Sequence, residues 1–137
     1  MPANTQPIYM LTPENGWATL TTANTATDGT GTVSTIYTAG TNGGKPRGIT
    51  IRPLGTNVQT KLMIFLNNGS TNATASNNAL IAEMTIPAST ASNTTAINPT
   101  DFTFPEDFVM QSGYKINICI ATAVSAGLAV ALYGGGF

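Results

Sequence analysis

The chain contains no histidine. That removes the commonest general base and the commonest metal ligand, and it excludes Ser-His-Asp and Cys-His constellations. There is one cysteine, Cys119, so no disulfide framework can form within the chain. Charged residues make up 8% of the sequence, against roughly 25% in an average domain. The cations are Lys45, Arg47, Arg52, Lys61 and Lys115. They are too few to form the clustered positive surface that displaces counterions from nucleic acid, so nucleic acid is not an expected partner. A net charge of −1 gives little self-repulsion, which leaves dense assembly unpenalised. No apolar run is long enough to cross a bilayer. The opening MPANTQPIYML lacks the basic start and apolar centre of a signal peptide, so synthesis in the cytoplasm and no membrane partner are expected. No segment keeps a helical period.

What fills the space is Thr, Asn, Ala, Ser and Gly, with β-branched and aromatic residues recurring at strand spacing. Disordered chains lack that recurrence. The composition points to an all-β fold. Its organising stretch is GITIRPLGTNVQTKLMIFLNN, with two strand-type runs, Ile49–Leu54 and Thr60–Leu66, about a Gly55-Thr56-Asn57 turn. Side chains alternate faces along a strand. Leu62, Ile64 and Leu66 therefore form a core face, and Lys61, Met63 and Phe65 the opposite one. A strand that is apolar on both sides sits between packed layers or against a partner chain.

Six further strands are predicted at Trp17–Thr22, Thr32–Ala39, Ala79–Ile86, Asp101–Phe104, Tyr114–Thr122 and Leu128–Tyr133. Gly/Asn/Ser-rich turns separate them. An antiparallel β-sandwich of jelly-roll type gives about eight short strands two packed faces each. Residues 17–137 are read as that single domain. Residues 1–16, with Pro2, Pro7 and Pro13, are read as an extended N-terminal arm. Its apolar cluster, Ile8, Tyr9, Met10 and Leu11, either packs along its own domain or reaches a neighbour. The terminal Phe137 is too large an apolar group to leave in water, so it should tuck against something.

Few residues invite chemistry. Cys119 on a strand reads as a small apolar filler rather than an activated thiolate. A glycosidase needs two carboxylates across a cleft. Glu83 with one of Asp101, Glu106 and Asp107 is the conceivable pair, although the last three sit in turn-like sequence. Asp28-Gly29-Thr30-Gly31 supplies one carboxylate, too few for calcium. It neither follows a strand nor opens a helix, so it is no phosphate loop. Asn68-Gly69-Ser70, Asn72-Ala73-Thr74 and Asn93-Thr94-Thr95 match the glycosylation acceptor pattern, which arises by chance in a chain of this composition. Trp17, Tyr9, Tyr37, Tyr114 and Tyr133 could line a sugar platform, but such residues more often fill cores or subunit interfaces. No catalytic residue, cofactor or metal is expected.

The segments TPENGWATLTTANTATDGTGTVSTIYTAGTNGG, ITIRPLGTNVQTKLMIFLNNG, ALIAEMTIPAST and MQSGYKINICIATA, with a Gly-Gly-aromatic end, together resemble small proteins encoded among the virion genes of tailed bacteriophages. The likeness runs from Leu11 to Phe137. It departs at Gln111-Ser112, where the resemblance implies proline before Gly113. It implies a non-enzymatic structural protein on the capsid surface of a virion. The expected role is a capsid decoration (cement) protein, forming a homotrimer and binding the major capsid protein. Under that expectation Met63, Phe65, Ile81, Ala129, Ala131 and Tyr133 are subunit contacts, and Ile8, Tyr9, Met10 and Leu11 touch the capsid. The alternative is a tail- or fibre-associated module that recognises a host-surface glycan or receptor.

Overall fold

The computed structural model describes residues 9–137. Eight strands run through them: β1 (Thr12–Leu20), β2 (Ser34–Thr38), β3 (Gly44–Pro53), β4 (Thr60–Asn67), β5 (Asn78–Ile86), β6 (Thr100–Thr103), β7 (Lys115–Ile120) and β8 (Leu128–Gly136). They form two antiparallel four-stranded sheets, ordered β1-β8-β3-β6 and β2-β7-β4-β5. The pairing is nested about the β4–β5 connection. β4 pairs with β5, β3 with β6, β2 with β7 and β1 with β8. A long double strand folded over on itself gives this arrangement. Two further ladders, β3–β8 and β4–β7, complete the sheets. The result is the eight-stranded jelly-roll sandwich that the strand count implied.

The main core lies between the sheets. Ile49, Ile51, Leu128, Val130 and Leu132 enter from one sheet, and Leu62, Ile64, Ile116, Ile118 and Ile120 from the other. All are essentially inaccessible to water. The prolines obey the ladder. Pro13 lies on β1, an edge strand, and Pro46 lies at a bulge in β3 outside the Gly48–Ile51 stretch that pairs with β6. A missing amide donor is tolerated at both places. At Gly16 an added Cβ would run into the Ile36 carbonyl, so this glycine lets β1 and β2 approach across the open side of the sandwich.

β1 begins at Thr12, five residues before the predicted start. Thr12, Pro13 and Glu14 pair with Gly136, Gly135 and Gly134, whose bare backbone accepts a strand that hydrophobicity alone does not announce. Residues 12–16 therefore belong to the sandwich rather than to the arm. Ile8, expected in the capsid contact, lies outside the described residues.

Two expectations about the second apolar faces are corrected. Met63 and Phe65 are not free for a partner. With Cys119 they form a second small core on the outer side of the β2-β7-β4-β5 sheet, against Val33 and Ala121. The 21–33 connection covers that side. It docks at one corner, where the Asn24 amide donates to the Ile120 carbonyl at 2.7 Å. At the other corner the Asn72 side chain donates to the Gly29 and Gly31 carbonyls at 3.1 and 2.8 Å, and that of Asn78 to the Asp28 carbonyl at 3.2 Å. Asn24 holds the loop's own shape. Its side-chain Nδ2 donates to the Thr30 and Thr32 carbonyls at 2.9 and 2.8 Å, and its Oδ1 accepts from the Ala26 backbone amide at 3.0 Å. Since Ile120 lies on β7 and Asn78 on β5, the strap passes over β4 between them.

Ile81 is displaced for a different reason. β5 carries one extra residue there: Ala82 faces Ile64 and Leu80 faces Phe65, with Ile81 between them. A bulge of this kind breaks the period of two. Ile81 turns toward the main core beside Ala82, and Leu80 turns outward.

Candidate functional site

One end of the sandwich carries an apolar groove. The Leu11 amide donates to the Gly136 carbonyl at 2.9 Å, extending the β1–β8 ladder beyond Thr12 and fixing the arm's direction as it leaves the sheet. Tyr9, Met10, Leu11, Val109 and Phe137 line a hollow of about 680 Å³ there. Tyr9 and Leu11 are 72% and 79% exposed. Lys45 and Arg47 stand at the rim and share one carboxylate, Glu106, at 3.6 and 3.9 Å. Val109 sits on a pinned segment: behind it the Phe104 ring meets Phe102 edge-on and Phe108 at a tilt, with centroids 5.0 and 5.2 Å away, and the Met110 amide donates to the Gly44 carbonyl at 2.7 Å. Phe137 is half-buried in this hollow, as its size required.

The second surface is the outer face of the β1-β8-β3-β6 sheet. Register places its side chains in rows across the strands. Asn15, Tyr133, Gly48 and Thr103 make one row, Trp17, Ala131, Thr50 and Asp101 the next, and Thr19, Ala129 and Arg52 a third. Every residue here except Gly48 is at least partly exposed. Trp17 is 77% and Tyr133 48% exposed. Gly48 is covered by Tyr133 itself, whose ring and hydroxyl occupy the space a Cβ would need. Across the sheet, Arg52 Nη1 donates to Asp101 Oδ1 at 2.8 Å, and also to the Ile51 and Thr100 carbonyls.

The structure sorts the expected site residues accordingly. Tyr9, Met10 and Leu11 meet at the end groove. Ala129, Ala131 and Tyr133 meet on the open sheet face, where Trp17 joins them from β1. Of the five aromatics considered for a sugar platform, Trp17 and Tyr133 share a face, Tyr9 lies at the end, Tyr114 is half-buried against the main core, and Tyr37 is buried. The Tyr37 hydroxyl donates to the Gly135 carbonyl at 3.0 Å; burial, then the neighbouring Glu14 carboxylate, push its pKa well above the ordinary phenol range.

The carboxylates do not converge. Glu83 pairs with Lys61 at 3.3 Å on one sheet, Asp101 with Arg52 on the other, and Glu106 with the end cations. The Asp28 carboxylate accepts from the Thr30 hydroxyl and amide, which lowers its pKa. Burial pushes the Cys119 thiol up, so it stays protonated and inert at neutral pH, as an apolar filler would.

The place of Val109 in the end groove and the Arg52–Asp101 pair escaped the sequence reading. Val109 sits in a short irregular segment whose spatial neighbours are the two chain ends. Arg52 and Asp101 are 49 residues apart, and only the β3–β6 register brings them together. The exposure of Trp17 had a faint signal: it stands between Gly16 and Ala18, the two small residues that turn inward on either side of it. No family model matches the chain, and no curated protein or solved structure matches it significantly.

Proposed function

We propose that the chain is a structural protein of a virion, of the capsid-decoration type, that attaches to the major capsid protein through its end groove. The observation that carries this reading is the cluster of Tyr9, Met10, Leu11, Val109 and Phe137. It gathers the exposed Tyr9, Met10, Leu11 and Val109 with the half-buried Phe137 into a single hollow. Isolated exposed apolar residues are commonplace, but a contiguous apolar concavity with a polar rim is the usual form of a docking surface. The low charge of the chain fits close packing of many copies on a shell, because neighbouring copies repel one another weakly. The resemblance of the sequence to small phage virion proteins supplies the partner.

Cosedimentation with capsids tests the reading. The protein should pellet with capsids, and the double variant Leu11→Ser, Val109→Ser should stay in the supernatant while keeping its circular dichroism. Undiminished pelleting of the folded variant would refute attachment through this end.

A further inference from the structure

We propose that the outer face of the β1-β8-β3-β6 sheet binds a neutral oligosaccharide, with the Trp17 indole as the stacking platform and the Arg52–Asp101 pair as the hydroxyl-recognising wall. Register sets short side chains between larger ones on this face, which outlines a trough. Its floor is Ala129, Ala131 and Thr50, which are short side chains in adjacent rows. Trp17 stands on β1, Arg52 on β3 and Asp101 on β6, with Tyr133 in the next row. Neighbouring strands are about 4.8 Å apart, so Trp17 and Asp101, three strands apart in one row, stand roughly 14 Å apart across Ala131 and Thr50. That width admits one sugar ring lying against the indole.

The charges select the ligand. Arg52 and Asp101 neutralise each other at 2.8 Å, and the guanidinium is further held by two backbone carbonyls. An anion would meet the Asp101 carboxylate, and a cation would meet the guanidinium. An apolar surface would strip water from a half-exposed ion pair without repaying the desolvation. A polyhydroxylated neutral ring does neither. Its hydroxyls can donate to the carboxylate and accept from the guanidinium, while its C–H face lies on the indole, whose amphipathic ring suits a contact that is apolar on one side and wet on the other. Asn15, Thr19 and Thr103 add exposed polar groups at the margins. The site is largely formed without a ligand: Gly48 lets Tyr133 lean across β3, and the Arg52–Asp101 pair is already made. The face is on the flank and the groove on the end, so attachment to a shell would leave the trough open to solvent.

Trp17 is the chain's single tryptophan, so its emission reports on the site directly. The probes are the hexasaccharides of β-glucan, α-glucan, mannan, xylan and N-acetylglucosamine, titrated to about 10 mM, the range of weak single-site binding. At least one should shift Trp17 emission saturably. Calorimetry with that sugar should show binding about tenfold weaker or more in Trp17→Ala and in Ala131→Arg, which fills the floor. The Leu11→Ser, Val109→Ser variant should bind it normally. The proposal is overturned if none of the five gives a saturable change. It is equally overturned if emission instead tracks protein concentration while light scattering shows a dimer, since a second copy would then cover the face. Either result leaves the capsid cosedimentation outcome unaffected.

Discussion

Replacing Phe65 by Ala separates a residue that holds the fold together from one that meets a partner. The Phe65 side chain is fully buried against Met63 and Cys119, outside the main core and beneath the 21–33 strap. Truncation removes most of an aromatic side chain that buries on the order of 150 Å² of apolar surface, worth about 4 kcal/mol at 25 cal/mol per Å². Measured Phe→Ala losses in cores run about 3–5 kcal/mol because a cavity is left behind. One side of this pocket is a loop rather than a strand, so partial collapse is easier, and a loss near about 3 kcal/mol is expected. Against a total stability of about 5–15 kcal/mol that is a large fraction. In urea the midpoint should fall with the slope unchanged, and the monomer–oligomer distribution should stay as it is. A loss below about 1 kcal/mol, the range of an ordinary surface substitution, would refute the buried second core. If light scattering then showed altered association, Phe65 would be the partner contact that its alternation with Leu62 and Ile64 first suggested.

Asn24→Ala should cost about 2–3 kcal/mol, because it leaves the Thr30 and Thr32 carbonyls and the Ala26 amide without their partner. Hydrogen exchange should accelerate across residues 24–33 before it does so elsewhere. Gly48→Ala should displace the Tyr133 ring from β3 at a cost of about 1 kcal/mol or less, because a flexible side chain rather than backbone gives way. Tyrosine emission would report the ring's release. Native Cys119 should react with a thiol-specific disulfide reagent at pH 8 only as fast as the protein opens, whereas immediate reaction would show it is not buried. The same thiol and the Tyr37 phenol have folded pKa values raised by burial. Above about pH 8.5 for Cys and about pH 10 for Tyr, the unfolded chain releases protons that the folded chain keeps. Stability should therefore be fully present below these values and decline as pH rises past them, and Cys119→Ala should remove the first part of that decline.

Much of the fold was legible because strands carry their own signature. All eight runs of alternating or β-branched residues became strands, and the glycine- and asparagine-rich segments between them became connections. What did not show was anything set by register. Whether Met63 and Phe65 face a partner or their own chain depends on the path of residues 21–33. That path is fixed by amide side chains of Asn24, Asn72 and Asn78, which read in sequence as ordinary loop asparagines. Ile81 and Leu80 exchange faces through one inserted residue. The Thr12–Glu14 part of β1 exists because three glycines pair with it. The candidate surfaces were half-visible. The apolar cluster at Tyr9–Leu11 stood out by composition, but Val109 joins it from a separate loop and Trp17 joins Ala131 and Tyr133 only through the β1–β8 ladder.

Under the proposed function, the end of the sandwich where β1 begins and β8 finishes is an attachment surface. Photo-crosslinking from single positions, with the protein mixed with assembled capsids, addresses it most directly. A photoreactive residue at Leu11 should yield a crosslink to the shell protein, identified by mass spectrometry. One at Val58, 59% exposed in the β3–β4 turn at the opposite end, should not. Equal crosslinking from both positions, or none from Leu11, would contradict the account.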